Sequence, residues 1–205
     1  MVNSIIRPPR AEYRLGPERQ FISNVIVERK DFELINKRNL TLQCSWYQPS
    51  SDNRKAEKLP CLIYCHGNSG SRNDAQECIP LLLGYNITVM SFDFAGSGMS
   101  QGEYVSLGYF EKDDICTVVE HLRNSNTVTN IGIWGRSMGA ATAIMYGKID
   151  PSIACMVVDS PFSSLNVLAS ELIESSDFKI PKTLLKVGMK MIKKTVNKKA
   201  NFDIE

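Results

Sequence analysis

The run Ile131-Gly132-Ile133-Trp134-Gly135-Arg136-Ser137-Met138-Gly139-Ala140-Ala141 restricts the folds open to this chain more than any other stretch. Residues 131–134 read as a buried strand, and the chain from Met138 onward reads as a helix with small residues against its neighbour. Only a brief hinge separates the two. A strand that turns so abruptly into a helix strains the intervening serine, and only small residues fit two places before and after it. Gly135 and Gly139 stand at those places. The turn lifts the Ser137 hydroxyl clear of the backbone at a helix N-terminus, where free N–H groups and the helix dipole favour a developing negative charge. Against this stands the plain reading that Gly and Ser are frequent in turns, so the string alone proves nothing.

The chain's 205 residues suffice for one domain with a sizeable core. Hydrophobic residues at 43 % and charged residues at 22 % are ordinary for a globular protein. With 24 basic against 22 acidic residues, net charge offers no case for a nucleic-acid partner. Met1 to Arg10 lack the apolar core of a secretory signal, and no apolar run approaches a membrane span. The six cysteines (Cys44, Cys61, Cys65, Cys78, Cys116, Cys155) form no metal-ligand spacing. They read as reduced residues of a cytoplasmic protein, and neither metal nor cofactor is expected.

Residues 1–20 are polar and broken by prolines, so an N-terminal arm laid on the surface is expected there. From Phe21 to Trp46 the apolar residues alternate, which suggests an antiparallel pair at a sheet edge joined through residues 36–39. Then the pattern changes. Apolar strands at Cys61–Cys65, Ile87–Phe92, Ile131–Trp134 and Ile153–Val158 alternate with helical stretches near Ala75–Leu83, Tyr109–Asn124 and Met138–Lys148. Such alternation predicts an α/β fold of about six strands, mostly parallel, with helices on both faces. Ligands of such sheets bind at the carboxyl ends of the strands.

Three further motifs fall at those ends. His66-Gly67-Asn68-Ser69-Gly70 follows the first parallel strand; its Asn68 amide, with that of Met138, would form an oxyanion hole, or else the motif is simply a tight turn. Asp93 opens a glycine-rich loop through Ser100 and reads as a pin for that loop sooner than as a chemical group. Asp159, before Ser160-Pro161-Phe162, either presents a carboxylate to a histidine or caps the following turn, the latter being the simpler role.

In order and spacing these motifs resemble the α/β-hydrolase superfamily, over roughly residues 21–165, as an incomplete core. Within it the chain is most similar to serine-aminopeptidase-like hydrolases, a group that includes acyl-protein thioesterases. The resemblance implies Ser137 as nucleophile, with Met138 and Asn68 amides as oxyanion donors. His66, Gly67, Gly135, Gly139, Asp93 and Asp159 would support them. It implies as substrate a small molecule or an acylated protein carrying an ester or thioester.

One departure stands out. The family's order is serine, acid, histidine, yet the chain's 2 histidines, His66 and His121, both precede Ser137. His66 belongs to the glycine turn, and His121 is expected on the solvated side of its helix beside Glu120 and Arg123. Loss of the triad histidine costs on the order of a millionfold in turnover. Two explanations follow. Either the chain is the front part of a longer hydrolase whose acid and histidine lie beyond residue 205, the favoured expectation, or it is an inert pseudo-hydrolase that acts as a binding module.

Residues 166–205 form a lysine-rich segment, with Lys182, Lys186, Lys190 and Lys193 on one helical face. It reads as the start of a helical lid over the pocket. The sharper alternative is a basic amphipathic helix that touches anionic lipid.

Overall fold

A computed structural model describes residues 6–10 and 12–164. Its strands are β1 (Arg19–Ile22), β2 (Val25–Ile35), β3 (Thr41–Pro49), β4 (Leu59–Cys65), β5 (Thr88–Phe92), β6 (Val128–Arg136) and β7 (Cys155–Asp159). The helices are α1 (Ile79–Leu82), α2 (Glu111–Asn124) and α3 (Met138–Ile149). The expected lid or tail lies outside the described residues.

The strands form one sheet in the order β1-β2-β3-β5-β4-β6-β7. β4, β5, β6 and β7 are parallel, while β1, β2 and β3 are joined to one another and to β5 by antiparallel pairing. This is the α/β-hydrolase arrangement, mixed but mainly parallel in its centre. The seventh strand is β1. Four residues with only Phe21 and Ile22 apolar carry too little alternation to mark it in the sequence.

Alternation along the central strands sorts the core into two layers. Cys61, Ile63 and Cys65 of β4 face one side with Met90 and Phe92, and meet Ile115, Val118, Val119 and Leu122 of α2. Leu62 and Tyr64 face the other side with Val89, beneath Ala75, Cys78, Ile79 and Leu83. The helical stretch expected at Ala75–Leu83 is broken into a 3-10 turn (Arg72–Glu77), α1, and a second 3-10 turn (Leu83–Tyr85). Pro80 in the first turn of α1 supplies no N–H to extend a helix from upstream, and left-handed Asn86 (φ 60°) ends the last turn.

His121 is not on the solvated side of α2. Its ring stacks on Phe32 of β2 at 4.8 Å and meets Trp46 of β3 edge-on at 6.4 Å. It lies three residues past Val118, on the flank of the apolar stripe. Of the cysteines, Cys44, Cys61, Cys65 and Cys78 are buried, Cys116 is half-buried and Cys155 is exposed, all with free thiols.

Candidate active site

The carboxyl ends of β4, β5, β6 and β7 lie along one edge of the sheet. Cys65 pairs with Gly135, and Arg136 pairs with Asp159. The His66 turn, the Asp93 loop, Ser137 and the turn at Ser160 therefore emerge side by side.

Ser137 has φ 51° and ψ −111°, a conformation in which an L side chain is strained. Two close approaches hold it there. A Cβ on Gly139 would come within 2.0 Å of the Cys65 carbonyl oxygen, so the start of α3 packs directly on the end of β4. A Cβ on Gly135 would come within 2.3 Å of the Gly139 oxygen. The Ser137 N–H donates to the Asp159 carbonyl at 2.8 Å, which continues the β6–β7 ladder into the bend. Its side chain is half-buried.

Gly67 lies against this bend: a Cβ there would sit 3.6 Å from the Ser137 Cβ, at ordinary contact. The turn closes through the Gly70 N–H to the Gly67 oxygen at 3.0 Å, with Ser69 left-handed at φ 65°. Met138 is fully buried, and its N–H belongs to the first turn of α3, which a helix cannot satisfy internally. The Asn68 side-chain oxygen is buried without a hydrogen-bond partner among the described residues.

His66 is wholly buried, and both ring nitrogens are engaged. Nδ1 donates to the Gly67 carbonyl at 2.7 Å, which leaves Nε2 to accept the Phe94 N–H at 3.1 Å. Burial pushes its pKa below the ordinary imidazole range and keeps the ring neutral. So placed, it joins the β4 turn to the β5 loop and has no lone pair left for the Ser137 proton. His121 stands in the last turn of α2, whose first turn lies by the Asp93 loop (Asp114 accepts the Ala95 N–H at 3.0 Å). Ten residues of helix, about 15 Å, separate it from that end.

Asp93 is fully buried and anchors its loop. Oδ1 accepts the Arg72 N–H at 2.6 Å, and Oδ2 accepts the Met99 N–H at 2.8 Å. Gly98 fits above it only for want of a side chain, since a Cβ would fall 2.3 Å from the Asp93 carboxyl carbon. The Asp159 carboxylate is half-exposed and accepts the Ser160 hydroxyl at 2.8 Å. Arg136 pairs with Asp159 at 3.7 Å and with Glu77 at 3.1 Å, tying the bend to the 3-10 turn beside it. Among the described residues no cluster of His, Cys, Asp or Glu is arranged to hold a metal ion, and no helix is long and apolar enough to cross a membrane.

Sequence reasoning singled out the two turns and the serine, but missed Arg72 and Tyr13. Their partners lie far along the chain, and no local pattern marks either.

The family profile of serine aminopeptidase, S33, matches residues 56–201. The uncharacterized protein YqkD of Bacillus subtilis is 35 % identical over 105 residues, which is 50 % of this chain and 34 % of that protein. The uncharacterized protein YfhR of Escherichia coli K12 is 27 % identical over 137 residues, 65 % of this chain and 48 % of YfhR. The chain thus spans between a third and a half of the length of these curated relatives. Among solved structures, the Pyrococcus furiosus esterase Pf2001 superposes with a TM-score of 0.70 at 29 % identity, over 89 % of this chain and 65 % of that one.

Proposed function

The chain belongs to the serine aminopeptidase S33 family of α/β-hydrolases, and from that premise we propose that it is the nucleophile-bearing part of a serine hydrolase acting on acyl esters or thioesters. The observation that carries this reading is the strained Ser137, at the N-terminus of α3 and so close to the His66–Gly70 turn that a Cβ on Gly67 would touch it. The similarity to an esterase supports ester chemistry over peptide cleavage.

In this reading Ser137 Oγ adds to the acyl carbonyl carbon while a general base takes its proton. The carbonyl oxygen gains the charge and is held by the Met138 and Asn68 amides; one such donor is worth roughly a hundredfold or more in rate. The tetrahedral adduct then collapses, expelling alcohol or thiol with the proton from the base. Water releases the acid in a second addition. His66 spends both ring nitrogens on backbone and His121 packs on Phe32 and Trp46, so this reading assigns the base and its carboxylate partner to neither and expects them after residue 205. Asp93 serves the site by fixing backbone, while the Asp159 carboxylate holds the Ser160 and Arg136 side chains.

A fluorophosphonate probe tests this. Residues 1–205 should label slowly at Ser137 and the Ser137→Ala variant not at all. A version extended beyond Glu205 should label strongly. The commitment of both histidines favours a second reading, a pseudo-hydrolase that binds a ligand or protein without turning it over. Equal, weak labelling of all three proteins would support that rival. For the lysine-rich residues 178–200 the lid remains the favoured reading and contact with anionic lipid the alternative; flotation with phosphatidylserine vesicles separates them, absence of binding at low salt ending the alternative.

A further inference from the structure

Residues 6–10 and 12–18 have little regular structure, yet Ile6, Arg10 and Tyr13 fasten them to the loops near Ser137. Ile6 is buried, and its carbonyl accepts the Val105 N–H at 2.8 Å. The Arg10 guanidinium donates to the carbonyls of Gly98 (3.4 Å), Ser100 (2.6 Å) and Gly102. Tyr13 reaches a buried pair of charges. Its hydroxyl accepts from Arg72 Nε at 2.8 Å and donates to Asp93 Oδ2 at 2.5 Å.

Arg72 and Asp93 are charged groups that have left water, with relative exposures of 5 % and 0 %. Arg72 follows the His66–Gly70 turn by two residues, and Asp93 begins the loop after β5. The other contacts of this cluster also run between elements. Arg72 Nη1 donates to the Cys44 carbonyl of β3 at 2.9 Å, and the guanidinium lies 5.7 Å from the centre of the Tyr13 ring.

We propose that Tyr13 is a positioning residue for the oxyanion side of the site, its hydroxyl bridging the buried Arg72 and Asp93 and so fixing the two loops that flank Ser137 relative to each other. This rests on the hydrolase reading for its consequence, though not for its geometry. A buried cation and anion joined through one hydroxyl depend on it doubly, because its loss leaves a donor and an acceptor short at once. Burial, reinforced by the Asp93 carboxylate, pushes the Tyr13 pKa well above the ordinary phenol range. The hydroxyl therefore keeps its proton, and its direction of donation is fixed. Tyr13 thus acts as part of the site's frame although it is remote from Ser137 in sequence.

Hydrogen exchange on the whole chain, comparing it with Tyr13→Phe, tests this. The variant keeps the ring and removes one oxygen. The Arg72 and Met99 amides, both bonded to Asp93, should lose roughly tenfold or more in protection. The Ile63 and Met90 amides inside the sheet should not change. Arg10→Ala is the companion: it should loosen residues 98–102 and leave the Arg72 amide protected. Unchanged exchange at Arg72 and Met99 in Tyr13→Phe overturns the proposal. So does an equal loss throughout the sheet, or an equal loss at Arg72 in Arg10→Ala. On the reaction itself, Tyr13→Phe should lower the limiting rate of phosphonate labelling at saturating probe and leave the half-saturating concentration in place. A parent chain that never labels counts against the reaction, while the exchange result separately decides the role of Tyr13.

Discussion

Nε2 of His66 accepts the Phe94 N–H at 3.1 Å, so the histidine of the β4 turn holds the β5 loop in place. The ring is neutral, with its proton on Nδ1 facing the Gly67 carbonyl. Nitrogen NMR should therefore find one fixed neutral tautomer well below the pH at which a free imidazole titrates. His66→Ala strands the Phe94 amide in the core and should cost about 2–3 kcal/mol. The sign of the pH dependence follows from the lowered pKa. Below about pH 6.5 the unfolded chain takes up a proton at His66 that the folded chain refuses, so this group's contribution is present above that pH and is lost as pH falls.

Asp114 pulls the other way. It is fully buried at the first turn of α2, where it accepts from the Asn36 side chain at 2.6 Å and the Ala95 N–H at 3.0 Å, with Arg38 at 3.4 Å. Burial is the dominant influence and pushes its pKa up to about 6. The folded state then holds a proton that the unfolded state releases, and the stabilisation from that proton is complete below about pH 4 and lost as pH rises to about 6. Urea titrations of the parent chain between those limits should show a term of at most about 3 kcal/mol that Asp114→Asn removes.

Two glycines of α3 should respond to alanine with opposite signs. At Gly139 a Cβ would meet the Cys65 carbonyl at 2.0 Å, a backbone atom that cannot give way. Gly139→Ala should cost about 3 kcal/mol or more, or prevent folding. At Gly147 the nearest atom is the Met156 methyl at 2.2 Å, the far end of a flexible side chain. There alanine's helix propensity, worth about 0.5–1 kcal/mol, opposes a small repacking, and Gly147→Ala should be neutral or slightly stabilising. Thermal melts of the two variants check the contrast.

What the sequence discloses and what it hides divide by distance. β4, β5 and β6 are legible because parallel strands buried on both faces become continuous apolar runs such as Cys61–Cys65. The bend at Ser137 is legible because its constraint is local: Gly135 and Gly139 stand where the backbone comes closest. The placement of His121 is hidden because Glu120 and Arg123 beside it suggest a solvated face, whereas contact with Phe32 is decided by the packing of α2 on β2. Tyr13 and Arg10 meet partners 59 to 92 residues away. Only the folded chain brings those groups together.

In the proposed reading Ser137 is a competent nucleophile lacking only its base. Exogenous imidazole can stand in for the missing histidine, and mass mapping of fluorophosphonate-treated protein reads the result at one residue. Imidazole should raise the labelling of Ser137 in residues 1–205 by about tenfold or more, within the two to four orders of magnitude that general-base catalysis provides, with no label in Ser137→Ala. A folded chain that stays unlabelled at Ser137 with and without imidazole, or one labelled equally in the alanine variant, would rule out a nucleophilic Ser137.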